Sequence, residues 1–239
     1  TMQYFRYFPT INYDLDDNKD TREIIDVFRF AKIMSTKTID DISLYSYYYI
    51  QDGERPDHVS QKLYDTPNLY WTFFLVNEKL KNINTDWPMS FIQLDDHVDQ
   101  TYTGHALNFT ISTTIHDKLT VGETVTGLLS GATGKIVSKD PNLGWIRISD
   151  KTGIFQAETI QGGTSNEIVT ITGETPFKNA AHHFTTSDDG RVPRGTAGAV
   201  TVTNEQHEKE LNDSRQQIKV IKPSRVHEVS QEFRKIINA

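Results

Sequence analysis

The sequence predicts an α+β chain: a small βααβ domain with helical flanks, plus an inserted small all-β module. Three observations predict it. Ser46-Tyr-Tyr-Tyr-Ile50 has the aromatic, extended character of a strand and leads into two proline-opened segments with helical spacing. Residues 105–175 change to Thr, Gly, Val and Ile with turn signals about every eight to twelve residues, the pattern of a small all-β module. From residue 205 onward the apolar spacing is helical again.

Residues 1–45 read as an N-terminal docking arm. Tyr4, Phe5, Tyr7 and Phe8 precede Pro9, and Asp14, Asp16, Asp17 and Asp20 follow as an acidic run. A short helix is expected from about Arg22 to Met34, with Ile24, Ile25, Val27, Phe28 and Ala31 on overlapping apolar spacings. The opening aromatics are too few to form a core, so they dock either on the rest of the chain or on another protein.

Residues 46–104 carry the strongest local pattern. Asp52-Gly53 is a turn signal that ends the first strand. Pro56 suits the first position of a helix that places Val59 and Leu63 on one face. Thr66 and Pro67 repeat the device: the hydroxyl caps, the ring opens, and Leu69, Tyr70, Phe73, Phe74 and Val76 follow. A return strand near Leu80 to Asn84 completes the expected βααβ unit. Pro88, with Met89, Phe91, Ile92, Leu94 and Val98, predicts one more helix. Tyr48, Ile50, Val59, Leu63, Trp71 and Phe74 are the expected core. At the strand-to-helix corner, Glu54 and Arg55 either pair locally at little gain or project as a tip that reads a partner.

These residues carry a resemblance. Tyr48-Tyr-Ile-Gln-Asp-Gly-Glu54, Val59-Ser60, Leu63-Tyr64 and Leu75-Val-Asn77 resemble a LysM module, a family with a βααβ fold. The longer string is more specific: Asp52-Gly-Glu-Arg-Pro-Asp57, Lys62-Leu-Tyr64, Tyr70-Trp-Thr-Phe-Phe-Leu75, Asn77 and Asp86-Trp-Pro88 resemble the LysM-like baseplate wedge proteins of T-even-type contractile-tailed phages. Tyr7-Phe-Pro9 with Tyr13 resembles the start of that family. Glu210-Leu-Asn-Asp213 and Ile218-Lys-Val-Ile-Lys-Pro223 resemble its tail. A glycan-binding LysM closes with a Gly-containing strand where this chain reads Asp86-Trp-Pro-Met-Ser90, a departure that argues against glycan binding.

Within residues 105–175, Gly122-Glu-Thr-Val-Thr-Gly127-Leu-Leu-Ser130 aligns with Ala157-Glu-Thr-Ile-Gln-Gly162-Gly-Thr-Ser165. Two copies predict a two-fold hairpin arrangement or a small barrel and are too few for a solenoid. Trp145-Ile-Arg-Ile148 and Ile168-Val-Thr-Ile171 alternate, so one face is expected to be solvated. This module is read as an insertion into the wedge-protein plan, either a surface decoration or an added contact to a neighbouring subunit or a host surface.

Residues 176–239 read as a connector and a C-terminal helical arm. His182, His183, Asp188-Asp-Gly190 and Gly195-Thr-Ala-Gly198 predict a loop. Asn204 is expected to cap a polar helix over residues 205–217, with Glu205 and Lys209 paired four apart, and Val220-Ile-Lys-Pro223 to break it. Ser224 then caps a last helix with Val226, Val229, Phe233, Ile236 and Ile237 as one apolar stripe.

Composition excludes several function classes. A chain of 239 residues holds one large domain or two small ones. The absence of Cys removes disulfides, thiolate metal sites and Cys nucleophiles. A net charge of −7, with 10 Lys/Arg against 17 Asp/Glu in residues 1–104, argues against nucleic acid as a partner. That acidic segment is either a solvated surface or a steering field for a basic partner. No apolar run is long enough for a membrane span, and the opening residues lack signal-peptide order, which predicts a soluble chain not exported by that route.

The chemical motifs are weak. Asp14-x-Asp16-x-Asn18 resembles a calcium loop but has Lys19 and Ile25 where Gly and Glu are needed. Thr133-Gly-Lys-Ile136 resembles a phosphate loop but lacks the first Gly and the closing hydroxyl. His182 and His183 are expected on opposite sides of an extended chain as surface histidines, with Asp188 and Asp189 the nearby carboxylates. No catalytic residue, cofactor or metal is assigned, and an enzyme is not supported.

The resemblance therefore implies a structural component of a phage tail baseplate wedge, present in several copies around the tail axis. It would contact other wedge proteins, including the sheath-initiating subunit, in the virion tail baseplate assembled in the host cytoplasm. Tyr4, Phe5, Tyr7, Phe8, Glu54, Arg55, Phe233 and Ile236 are the candidate partner contacts. The alternative is a LysM module that binds peptidoglycan or chitin, and a third reading has the β insert bind a receptor or saccharide.

Overall fold

The computed structural model describes residues 8–14, 21–25, 43–110, 118–187 and 190–237. Strands β1 (Thr10–Asp14) and β2 (Thr21–Ile25) pair antiparallel as a hairpin, Thr10 facing Ile25 and Asp14 facing Thr21. The helix expected from Arg22 is thus replaced at its start by a strand. The β-branched Thr21, Ile24 and Ile25 suit that strand. Residues 26–34 of that expected helix, and residues 15–20 of the acidic and calcium-like run, lie outside the described residues.

Strand β3 (Tyr45–Tyr49) and helix α1 (Pro56–Tyr64) follow the expected order, with Pro56 at the helix opening. Helix α1 ends at Asp65, whose left-handed φ of 56° returns its amide to Gln61. Thr66 caps the next segment by accepting the Asn68 amide, and Pro67–Leu69 forms a 3₁₀ turn before helix α2 (Trp71–Val76). Ser60, fully buried, stitches the two segments together: its hydroxyl donates to Thr66 O at 2.7 Å and accepts the Leu69 amide at 3.2 Å.

The return strand does not come from Leu80–Asn84. That stretch is turned, because the Asp86 carboxylate accepts the amides of both Lys81 and Asn82, at 2.9 and 2.7 Å. A chain curled around a side-chain acceptor cannot offer the same amides to a ladder. The partner of β3 is strand β14 (Gln217–Ile221), antiparallel with Gln217 opposite Tyr49 and Ile221 opposite Tyr45. Ile218 and Val220, the second expected to lie in a helix break, pack with Ile50, Val59, Phe73 and Leu80 as one core.

The chain divides into two compact units, residues 1–90 with 212–239, and residues 91–211. In the first, helix α5 (Pro223–Ile237) begins at Pro223, one residue before Ser224, which therefore lies inside the helix and is not its cap. Val226, Val229 and Phe233 are buried as the predicted stripe requires, and the side chains of Ile236 and Ile237 lie outside the described residues.

In the second unit, helix α3 (Phe91–Thr101) buries Leu94 and Val98. Seven strands then form one antiparallel sheet: β4 (His105–Asn108), β5 (Thr124–Gly127), β6 (Thr133–Asp140), β7 (Trp145–Thr152), β8 (Thr159–Gly162), β9 (Ile168–Thr170) and β10 (Gly173–Pro176), in the order β10-β4-β7-β6-β5-β8-β9. The phosphate-loop-like Thr133–Ile136 lies within strand β6. Ile146 and Ile148 are buried while Trp145 and Arg147 are half-buried, as the alternation predicts.

The internal repeat explains the centre of this sheet. Strands β5 and β8 pair about Thr126 and Gln161, equivalent residues of the two copies. Each copy then supplies a carboxylate to the other's turn. Glu123 accepts the amides of Thr164 and Ser165 at 3.1 and 2.9 Å and the Ser165 hydroxyl at 3.0 Å. Glu158 accepts the amides of Leu129 and Ser130 at 2.8 and 2.9 Å and the Ser130 hydroxyl at 2.6 Å. The turn glycines are required by this approach. A Cβ on Gly127 would stand 2.6 Å from Glu158 Oε2, and one on Gly162 would stand 2.6 Å from Glu123 Oε2.

Residues 176–204, expected to be a loop, contain a three-stranded sheet: β12 (Arg191–Val192), β11 (Ala181–Thr185) and β13 (Val200–Thr203) in that order. Helix α4 (Asn204–Ser214) follows. Its cap is Thr203 and not Asn204. The Thr203 hydroxyl accepts the Gln206 amide at 3.2 Å, and the Gln206 side chain accepts the Thr203 amide at 2.9 Å, a reciprocal capping box. Asn204 instead donates from its buried amide to Phe177 O at 2.8 Å. Glu205 and Lys209 pair at 2.6 Å as expected.

Candidate functional site

The β3–β14 sheet of the first unit presents two chemically different faces, because a strand alternates its side chains. Inward, Tyr48, Ile50, Val59, Leu63 and Phe74 join one apolar cluster. Trp71 belongs to a neighbouring cluster: it is buried against Phe8 and Phe233, with its ring centroid 4.6 Å from that of Phe233. Phe8 in turn lies 6.4 Å from Phe233. Phe8 and Phe233, two of the candidate partner contacts, are thus buried within their own unit. Tyr4, Phe5 and Tyr7, and the side chain of Ile236, lie outside the described residues.

Outward, Tyr47 and Tyr49 are 62% and 58% exposed. Tyr45 packs edge-on against Tyr47 at 5.9 Å, and the Lys219 ammonium sits 4.8 Å from the Tyr45 ring centroid. Tyr49 donates to the Gln216 side-chain oxygen. A row of tyrosines offers large contact area with few rotamers to freeze and a hydroxyl at each tip, the composition favoured at protein interfaces. Tyr47 and Tyr49 were absent from the candidate contacts. Their signal was the run of three tyrosines, of which the middle one faces the core.

The strand-to-helix corner is pinned on one side and free on the other. Tyr48 donates to Glu54 Oε2 at 2.8 Å, Lys62 reaches Glu54 Oε1 at 3.2 Å, and the Gln51 amide donates to Glu54 Oε2 at 2.9 Å. Burial would raise the Glu54 carboxyl, but the donors Gln51, Tyr48 and Lys62 outweigh it and hold the group below the ordinary range. Trp87 clamps the same residue from behind, donating to Glu54 O at 2.6 Å. Glu54 therefore organises the corner. Arg55 has a 71% exposed side chain and touches Asp57 at 3.1 Å, so it is the projecting member of the pair.

Asn77 connects helix α2 to the returning strand. Its side-chain amide donates to Phe73 O and Lys219 O at 2.7 and 2.8 Å and accepts the Lys219 amide at 2.8 Å, as a strand residue would. Tyr64 donates to Ile221 O at 2.8 Å, and burial pushes its phenol up to about 12 despite the opposing hydrogen bonds from its neighbours.

A second cluster lies in the residues 91–211 unit. His182 and His183 do not point to opposite sides. The ladder between β11 and β13 shifts register between Ala181 and His183, and such a bulge re-aims a side chain. The two Nδ1 atoms lie 2.9 Å apart, and His207 of helix α4 stacks on His182 with ring centroids 3.8 Å apart. Burial, then His207, His183 and Arg191, lowers His182 from the ordinary imidazole range against the pull of Glu208. Burial, then Arg191 and His207, lowers His183. Asp188 and Asp189, expected near this pair, lie outside the described residues.

No helix among the described residues is long and apolar enough to cross a membrane. No curated protein matches the chain. A family model described as Base plate wedge protein 53 matches residues 3–104, the segment that holds β3, the pinned corner and helices α1 and α2. Over residues 3–104 the chain is therefore similar to a phage baseplate wedge family.

Proposed function

We propose that this protein joins neighbouring wedge subunits during assembly of the baseplate of a contractile tail, in several copies around the tail axis, with the sheath-initiating subunit among its partners. The wedge family match over residues 3–104 is the observation that carries this reading. The mechanism is interface formation without bond chemistry. The exposed Tyr47 and Tyr49 and the projecting Arg55 supply the residue types that anchor protein interfaces.

The element order β3-α1-α2-β14 supports a LysM-like βααβ unit whose last strand arrives after a long insertion. In this reading residues 1–45 act as a docking arm, and the β module of residues 105–175 adds a peripheral contact. Phe8 and Phe233 contribute indirectly, by fixing both chain ends onto the unit through Trp71.

Sedimentation velocity of the purified chain mixed with the other wedge proteins of its phage tests the proposal. A stable faster-sedimenting complex is expected, weakened at least about tenfold by Tyr47→Ser with Tyr49→Ser, since hot-spot aromatics each contribute about 2 kcal/mol or more. A chain that stays free of every wedge protein yet pellets saturably with insoluble peptidoglycan or chitin would overturn it and put the glycan-binding alternative first.

A further inference from the structure

The histidine cluster of the second unit has no part in the baseplate reading, and its geometry points to a ligand. His182, His183 and His207 each present a ring nitrogen, and these atoms all lie within 4.8 Å of one another. All three are half-buried. Two come from adjacent positions on strand β11 and one from helix α4, so sequence proximity alone does not bring them together.

Two features separate this arrangement from a chance surface pair. The bulge at His182 places consecutive imidazoles on one side of a strand, where regular alternation would part them. Their Nδ1 atoms, 2.9 Å apart, are about 0.4 Å closer than two nitrogens bound to one tetrahedral ion, which at metal–nitrogen bonds of about 2.05 Å lie about 3.3 Å apart. The third nitrogen, at most 4.8 Å away, needs a side-chain adjustment of about 1.5 Å to reach the same separation.

We propose that His182, His183 and His207 form a binding site for a divalent transition-metal ion of the zinc class, with the fourth position left to water or a carboxylate. Imidazole nitrogen selects zinc, copper and nickel over calcium and magnesium, which require oxygen ligands. Glu208 and Glu210, next to His207 and one helical turn on, place negative charge near His182 and His183, while Arg191 opposes it. Glu208 already holds Tyr102 at 2.7 Å and faces His97 at 3.8 Å. A bound ion would tie strand β11 to helix α4 and act as a structural staple in a chain that has no cysteine for a disulfide.

The test uses the full untagged chain, stripped with EDTA and titrated with Zn²⁺ against a chromophoric chelator, with Co²⁺ absorption as a second reading. We expect about one ion per chain, a Co²⁺ band of low-coordinate nitrogen ligation, and a thermal midpoint raised by Zn²⁺. His183→Gln and His207→Ala should each weaken binding at least tenfold, because even groups that only orient a ligand are worth 10- to 100-fold. His58→Ala, on helix α1 of the other unit, should leave binding unchanged. No stoichiometric uptake by the unaltered chain overturns the proposal, as does equal uptake by a folded His182→Ala/His183→Ala/His207→Ala chain. If the single variants do not fold, a Co²⁺ spectrum of the unaltered chain identical to free aqueous Co²⁺ overturns it by itself.

Discussion

Replacing Glu158 by Gln perturbs the reciprocal carboxylate exchange at the centre of the seven-stranded sheet with almost no change in shape. The carboxylate is 6% exposed and accepts four donors: the amides of Leu129, Ser130 and Gln156 and the Ser130 hydroxyl. Burial would raise its pKa, but these donors, led by the Ser130 hydroxyl, bring it from 4.5 down to about 2. At about 1.4 kcal/mol per tenfold change, that difference corresponds to about 3 kcal/mol of stability at neutral pH. Counting bonds gives a similar size. The Gln nitrogen cannot accept, so two donors face an NH₂ group, and each lost bond to a charged acceptor costs about 1.5–3 kcal/mol. Native-state hydrogen exchange of the paired Thr126 and Gln161 amides should therefore accelerate about a hundredfold in Glu158→Gln at pH 7. A carboxyl whose folded pKa is depressed stabilises fully above its unfolded value and loses that stabilisation as pH falls. The gap between the two chains should close as pH falls from about 5 toward 2. Exchange within threefold of the unaltered chain at pH 7, or a gap that does not shrink in acid, would refute this account.

Glu123→Gln should behave alike, with a cost of about 1.5–3 kcal/mol measured by the same exchange rates, because the Ser165 and Thr164 donors mirror those of the other copy. Gly162→Ala should destabilise the second unit by more than 1 kcal/mol in urea unfolding followed by Trp145 fluorescence, since the added methyl meets Glu123 Oε2 at 2.6 Å. Ile218→Ala removes a 1% exposed side chain from the core between β3 and α1 and should cost about 2–5 kcal/mol, read as a loss of exchange protection at Tyr48 and Lys219. Thr203→Ala should cost about 1 kcal/mol through the capping box and fray the first turn of α4 alone, visible as faster exchange at Gln206.

Much of the architecture was legible in the sequence, wherever local chemistry decides. Pro56 and Thr66-Pro67 announce their helical segments because a fixed φ and a capping hydroxyl act within a turn or two of themselves. The alternation at Trp145–Ile148 identifies a half-buried strand by the period of two. The repeat at Glu123 and Glu158 marks a two-fold module from identity alone. Tyr48, Ile50, Val59, Leu63 and Phe74 could be assigned to one core because their spacing matches elements adjacent in the chain.

What only the tertiary structure decided depends on residues far apart in the chain. The partner of β3 is Gln217–Ile221, a five-residue stretch that is strand-like only when a second strand is supplied, while the nearer Leu80–Asn84 is captured by the Asp86 carboxylate. That competition between a local side-chain acceptor and a distant ladder has no signature in periodicity. The assembly of His182, His183 and His207 likewise rests on a one-residue bulge, which reverses the face of every side chain after it. The sequence by itself determined those elements that local chemistry decides, and the similarity of residues 3–104 to a wedge family. The fold decided which elements meet, because burial is won by pairs of surfaces and only one surface of each pair is written at any one place in the chain.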